Sequence, residues 1–377
     1  MKSLKKQEEY NPFIPPLLTD NKFDFKDKRI YMLLERAASV LGKLNMLSKN
    51  SDFANLFTDM HVYVEAFESS EIEGTHADKA EVVKKDESDK TNRDLTITRN
   101  LYNLYLKMNN KLATSKNFSL NISCIEKMHS DLFKNMPKTS NEVGKIRTKQ
   151  NFVGGTNILD ALYIPPPPDK VSNLLEDLNK FWQNRQDFIP YLIKIAIYHY
   201  QFETIHPFGD GNGRIGRLIT NLQLKECDLL DLPVLCLSNY WKKNKGNYYN
   251  AISNARYSND IEYWIRFFLS SIYSTSIERI ETIIKINETL SKHKKILEKD
   301  EQDNSNIILT HLIKVSPFIT AKEAQELTGS TYQGANKIIE KFVNLGILKE
   351  YSQNKRNRIF VFDEYDKLIF NLIDELD

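Results

Sequence analysis

The chain is short of cysteine, has no long apolar run and carries almost no charge bias. Its three cysteines, Cys124, Cys227 and Cys236, cannot all pair and do not fall at metal-binding spacings, which places the chain in a reducing, cytoplasmic setting. His199 and His206 are not at ligand spacing either, so no zinc site is expected. No run approaches the ~20 apolar residues a membrane span needs. The opening MKSLKKQEEYNPFIPPLL has no apolar secretory core, so a soluble protein with no membrane partner is expected. With 52 Lys+Arg against 50 Asp+Glu, the net charge of +2 gives no strong pull toward nucleic acid or an anionic surface. What is present is ordinary core material: 41% hydrophobic residues in 377, enough for two to three domains.

Chemistry concentrates in His206 to Arg217, read HPFGDGNGRIGR. Upstream, IPYLIKIAIYHYQFETI has apolar residues at helical spacing, and Pro207 stops that helix because the residue before a proline is pushed out of the α region. Downstream, RIGRLITNLQLKEC starts a second helix, so Gly209, Gly211 and Gly213 lie in a loop feeding a helix N-terminus. Unpaired N–H groups and the positive dipole end converge there, which makes an anion site. Arg214 and Arg217, at i and i+3, are unfavourable in a first turn unless an anion neutralises them. A polyphosphate meets that need. Asp210 would repel the phosphate unless a hard cation such as Mg²⁺ bridges the two. Asn212 can donate to a phosphate oxygen without adding charge, and His206 is placed to take a proton from a hydroxyl. These residues indicate nucleotide-dependent transfer onto a hydroxyl.

Elsewhere the pattern is mostly helical. A proline-punctuated arm of ~25 residues precedes helices in KRIYMLLERAASVLGKLNML and SDFANLFTDMHVYVEAFESSEIEG, the second with Ser51 or Asp52 as N-cap and Gly74 as its stop. Ser69 and Glu73 share one face near its end, where a carboxylate is electrostatically misplaced unless solvated or paired with a cation. The mixed-charge stretch 76–94 reads as a solvated face or linker, and His129 as an ordinary packed or surface histidine. NEVGKIRTKQNFVGGTNILDALYIPPPP alternates, carries a glycine pair and ends in prolines, which predicts a β-hairpin and a rigid segment. From about Ser305 the order is helix, helix, helix, two strands, with basic residues Lys355, Arg356 and Arg358 at the hairpin tip.

Residues 206–217 resemble the signature HPFxDGNGRxxR of the Fic domain proteins, with every fixed position matched. The resemblance implies transfer of AMP from ATP to a Ser, Thr or Tyr hydroxyl of a protein target, with Mg²⁺. His206 would be the general base and Asp210 the metal ligand. Asn212 and the amides of Gly209, Gly211 and Gly213 would hold the α-phosphate, and Arg214 and Arg217 the β- and γ-phosphates. Fic relatives that transfer phosphate carry lysine where this chain has Gly213. SSEIEGT resembles the inhibitory motif (S/T)xxxE(G/N), which makes Arg217 the cation for Glu73 and Ser69 a helper. The hairpin resembles the Fic flap, which holds a target backbone as an added strand, with Arg147, Phe152 and Thr156 as candidate contacts. Tyr248 and Tyr249 match a recurrent YY and either flank an adenine or pack between helices.

The C-terminal region resembles a winged helix-turn-helix, a module that in this family binds DNA, a protein or a second copy of itself; the last would make a homodimer. The expected fold is mainly α: a Fic-type helical bundle core with a β-hairpin flap, plus that module. Its expected parts are 1–94 with the inhibitory helix, the core at 95–275, a linker helix at 276–304 and the winged-helix domain at 305–377. The chief alternatives are removal of AMP, with Glu73 orienting a water, and a DNA-binding regulator whose core senses nucleotide.

Overall fold

The computed structural model describes residues 10–21, 23–77, 92–115, 118–136, 142–258, 260–297, 304–351 and 358–370. Most of the mixed-charge stretch, residues 78–91, lies outside them, as do Lys355 and Arg356.

The organising pair is α6 (Tyr191–Ile205) and α7 (Asn212–Glu226). Every residue of α6 after Tyr191 is buried, as expected of a helix apolar all round its circumference. Around this pair are α1 (Arg29–Lys49), α2 (Ala54–Ile72), α3 (Arg93–Thr114), α4 (Ile122–Leu132), α5 (Pro168–Gln183), α8 (Leu237–Lys243), α9 (Lys245–Ser258) and α10 (Ile261–Leu297). Helices α5, α7 and α10 pack on α6, and α2 lies across α3 and α8. The N-terminal arm is laid on this bundle: Leu18 N–H donates to Asp177 at 2.6 Å and Phe13 N–H to the Ile164 carbonyl at 2.9 Å. The first part of the 276–304 stretch read as a linker helix, as far as Leu297, is the continuation of α10. That helix begins in the core and packs lengthwise on α1, burying Ile283, Ile286 and Leu290.

Two local expectations change. Helix α2 starts after Phe53 with no side-chain cap, and the Ser51 hydroxyl instead donates to the Leu47 carbonyl at 2.8 Å, closing α1. The predicted hairpin is reduced to a single antiparallel bridge, Val153 to Tyr163. Between them the loop folds on itself, because the Asp160 carboxylate accepts from the Thr156 and Asn157 amides at 3.0 and 2.7 Å. Gly154 and Gly155 both take left-handed φ, and prolines 165–168 supply no N–H, so no ladder propagates.

The C-terminal residues form α11 (Ser305–Lys314), β1 (Phe318–Thr320), α12 (Ala321–Thr328), α13 (Tyr332–Asn344), β2 (Leu348–Glu350) and β3 (Ile359–Phe362). Strand β3 runs antiparallel between β1 and β2, with Ile319 opposite Phe360 and Lys349 opposite Val361. Thr320 and Glu323 make a reciprocal capping box that starts α12. This unit is seated on α2: Phe318, Tyr351 and Ile369 pack against Tyr63, Val64 and Phe67. Among the described residues no helix is long and apolar enough to cross a membrane.

Candidate active site

The motif loop begins with a strained residue. His206 closes α6 in the left-handed conformation, φ 49°, which a non-glycine residue adopts only when its surroundings hold it there. The turn points the chain back so that α7 starts at Asn212 after Gly211, also left-handed, with no side-chain cap. Ile215 N–H makes the first intrahelical bond, to Gly211 at 3.1 Å, leaving the amides of Asn212 to Arg214 at the open helix end. The expected anion cradle is therefore formed by backbone.

Several side chains hold that loop. Asn212 is fully buried; its Oδ1 accepts from Phe208 N–H and its Nδ2 donates to the Phe208 carbonyl, both at 2.8 Å. The side chain staples the loop through Oδ1 and one Nδ2 hydrogen, and the second hydrogen of Nδ2 is not claimed by Phe208. His129, read as ordinary, stacks on Phe208 with centroids 4.0 Å apart. Its Nδ1 accepts from Gly144 N–H, and Nε2–H donates to the Asp210 carbonyl, both at 2.9 Å. Nothing in local sequence marks that role, since Gly144 and Asp210 are distant in the chain.

Electrostatics set the reactive groups. Burial pushes the His206 imidazole down to about 4, with Glu73 opposing and Arg256 and Arg147 adding, so the ring is an unprotonated acceptor at neutral pH. The half-exposed Asp210 carboxylate reaches Arg93 Nη2 at 3.4 Å and Arg214 at 3.6 Å. Arg214 is buried, and its Nε and Nη1 have no partner among the described residues. Orphaned guanidinium donors beside an open helix N-terminus suit phosphate oxygens.

Arg217 is 1% exposed and fully engaged with α2. Its Nε donates to Ser69 Oγ and one Nη to the Ser69 carbonyl, both at 2.8 Å, and the same Nη reaches Glu73 Oε1 at 2.7 Å. Glu73 is the C-cap of α2, which ends in a Schellman turn: Thr75 N–H bonds the Ser70 carbonyl and left-handed Gly74 bonds that of Glu71. Burial opposes the Glu73 charge, but Arg217 and then Arg214 outweigh it and hold the carboxyl below its ordinary range. The carboxylate lies directly on Gly213, where an added Cβ would sit 2.0 Å from Oε1. Any side chain at 213 would evict it.

The remaining candidates divide. Tyr248 is 1% exposed, bonded through its hydroxyl to His199 Nε2 at 2.9 Å and stacked on Trp241, so it packs between helices and does not flank a base. Tyr249 is 38% exposed and stays accessible beside Arg217. Phe152 is exposed on the flap, whereas the Thr156 hydroxyl is committed to Asp160 at 2.7 Å. Arg147 points inward, away from any target. Sequence reading missed Glu203, whose buried Oε1 has no partner among the described residues and would lie 2.3 Å from a Cβ at Gly216. Burial pushes its carboxyl up to about 7 against the pull of Arg217.

Fold and site together show a helical domain whose glycine loop opens an uncapped helix N-terminus, with the Glu73 carboxylate lying against Gly213. Residues 119–224 match the Fic/DOC family and residues 31–108 the Fic/DOC family N-terminal region. A probable protein adenylyltransferase of Aquifex aeolicus is 37% identical over 98 residues, 26% of this chain and 28% of that protein. The protein adenylyltransferase Fic of Aedes aegypti is 28% identical over 163 residues, 43% of this chain and 30% of that protein. The chain thus spans less than a third of these relatives. A Fic family protein from Desulfovibrio desulfuricans superposes with TM-score 0.58 at 17% identity, over 94% of this chain and 98% of that one. Fic-1 from C. elegans gives 0.52 at 20% identity, over 68% of this chain and 73% of that one. Residues 31–108 and 119–224 of the chain are thus similar to the Fic/DOC family.

Proposed function

We propose that the protein moves AMP from ATP to a Ser, Thr or Tyr hydroxyl of a protein target, and that Glu73 holds it off by occupying Arg217. The observation that carries this reading is the Glu73 carboxylate seated on Gly213 and bonded to the arginine a nucleotide phosphate would use. In the forward reaction His206 takes the hydroxyl proton, the oxygen attacks the α-phosphorus, and the bond to the β-phosphate oxygen breaks to release pyrophosphate. The amides of Asn212 to Arg214 and the free donors of Arg214 would receive phosphate oxygens. Asp210, half exposed at the mouth of the cradle, offers the single carboxylate that Mg²⁺ takes alongside phosphate, neutralising phosphate charge when bound. The relatives' names support the activity. AMP removal is less favoured, because a carboxylate held ionised by two arginines is a poor proton acceptor from water.

We read the location as cytoplasmic, supported by the unpaired Cys124, Cys227 and Cys236. The C-terminal unit we read as a winged helix-turn-helix that serves targeting or a homodimer contact. A groove beside α13 is lined by Glu323, Glu326 and Glu340 against Lys322 and Arg358, a near-balanced charge that supplies no attraction for DNA phosphates. The test of function is incubation with α-labelled ATP, Mg²⁺ and lysate, followed by mass spectrometry for adenylylated residues. Label on protein hydroxyls supports the reading; its absence from both wild type and Glu73→Gly overturns it.

A further inference from the structure

Arg147 stands in the flap, where a target would be held, yet its guanidinium is turned into the protein and the residue is 2% exposed. It has no carboxylate partner among the described residues. Instead it donates to four main-chain carbonyls: Nε to His206 at 2.9 Å, Nη1 to Lys149 at 3.2 Å, and Nη2 to Pro166 at 2.6 Å and Ile205 at 3.4 Å. Its own N–H bonds the Pro207 carbonyl at 2.9 Å. A buried cation that no carboxylate bonds directly is costly, and burial pushes the Arg147 guanidinium down to about 10, with Tyr163 and Glu142 opposing from a distance. What offsets the cost is position. The carbonyls of Ile205 and His206 belong to the last turn of α6, the negative end of its dipole, where unbonded oxygens and a cation suit each other.

We infer that Arg147 is a positioning residue for His206, a clamp that fixes the left-handed turn from which the imidazole projects and ties that turn to the flap. The flap's other anchors end on the same turn: Tyr163 donates to the Thr204 carbonyl at 2.6 Å and Asn151 to those of His206 at 3.4 Å and Phe208 at 3.0 Å. Among the described residues only Arg147 reaches both sides of the flap, at Lys149 and Pro166, and the His206 carbonyl at once. The fork of guanidinium donors is needed for this; a lysine ammonium is a single point and cannot span four acceptors. Target and base would therefore be held in register by one side chain.

The catalytic consequence rests on the AMP-transfer reading; the titration consequence does not. Arg147 disfavours a proton on His206. In Arg147→Met the His206 titration, followed by NMR with ¹³C-labelled histidine and assigned with His206→Ala, should move up from about 4. In Arg147→Lys, in a Glu73→Gly background, Mg·ATP affinity should stay within about twofold. The turnover rate should fall by up to ~10²-fold, the cost of a base displaced near ~1 Å. A thermal midpoint that drops in Arg147→Lys while turnover of the folded protein is unchanged would overturn the inference, as would an unmoved His206 titration in Arg147→Met. If Arg147→Met does not fold, Arg147→Lys carries the test by its split between turnover and affinity. If no variant transfers AMP, the function reading fails, and the clamp is overturned as well unless the His206 ring resonances of Arg147→Lys, which keeps the charge and loses the fork, differ from those of the parent.

Discussion

At the scale of residues, the site is a contest for donors and acceptors. Arg217 sends three hydrogen bonds to α2, and Arg214 keeps two donors unspent beside it. One arginine is taken and the other waits, which fits a site held short of use. His206, unprotonated at neutral pH, has the form a general base needs. His206→Ala is expected to cut AMP transfer ~10²–10⁴-fold while Mg·ATP affinity, measured by calorimetry in a Glu73→Gly background, stays close to that of the parent. Labelling near the parental rate would remove His206 from the mechanism. The motif's residue types were legible in the sequence because their charges conflict: arginines at a helix start and an acid at a helix end each need a partner. Which atoms are already spent was not legible. Tyr248 looks like a ligand contact in one dimension, but His199, brought close by the fold, claims its hydroxyl, and Asn212 gives its Oδ1 and one amide hydrogen to Phe208.

At the scale of elements, α2 is a polar helix buried by specific partners. Its Glu65 accepts from Ser238 and Asn221, its His61 meets Arg279 Nη1 at 3.0 Å, and Lys242 pairs with Glu68 at 2.9 Å and with Glu71. These tethers span the helix, so relief of Glu73 calls for a change in the last turn and not departure of the whole element. The C-terminal unit covers the Tyr63, Val64 and Phe67 face, which links it physically to the helix that ends at Glu73. A chain ending after Leu297 should keep labelling activity, since every motif residue remains, but melt at a lower temperature because that apolar face is uncovered. Labelling no weaker than in the full chain, with a lower calorimetric midpoint, is the expected pair of results; loss of labelling with an intact cooperative transition would show that the unit takes part in the chemistry. The long helix after Ser274 was legible as a helix, but its packing along α1 was not, because heptad-like spacing fits a spacer and a helix packed on one neighbour equally well. The flap was misread because alternation predicts strands without showing where prolines and left-handed glycines break the ladder.

At the scale of the whole molecule, buried histidines should govern acid stability. His61, His129, His199, His206, His293 and His311 are all held below their ordinary value, chiefly by burial. A depressed histidine binds its proton more readily unfolded, so its contribution is full above about 6.5 and is lost as pH falls toward the folded value. Glu65, Glu203 and Glu226 are raised by burial and act in the opposite sense. Six groups against three leave a net loss, so the thermal midpoint should fall as pH drops from 6.5 to 4.5. A midpoint flat or rising over that range would show that these histidines are not buried as described. The helical architecture and the motif's place between α6 and α7 were readable from apolar spacing. The seating of the C-terminal unit on α2 was not, because Tyr63, Val64 and Phe67 look like any buried face.

The central claim is that Glu73 restrains an AMP transferase by holding Arg217 across Gly213. It is tested most directly by the rate of self-labelling with α-labelled ATP and Mg²⁺, Glu73→Gly beside wild type, with Arg217→Ala as control. Freeing the arginine lets nucleotide phosphates take the in-line position, and misplacement near ~1 Å costs up to ~10²-fold, so Glu73→Gly should label up to ~10²-fold faster than wild type and Arg217→Ala should not. A glycine variant no faster than wild type, and unable to strip AMP from a modified protein that wild type strips, would make Glu73 a catalytic residue of the reverse reaction and contradict the account.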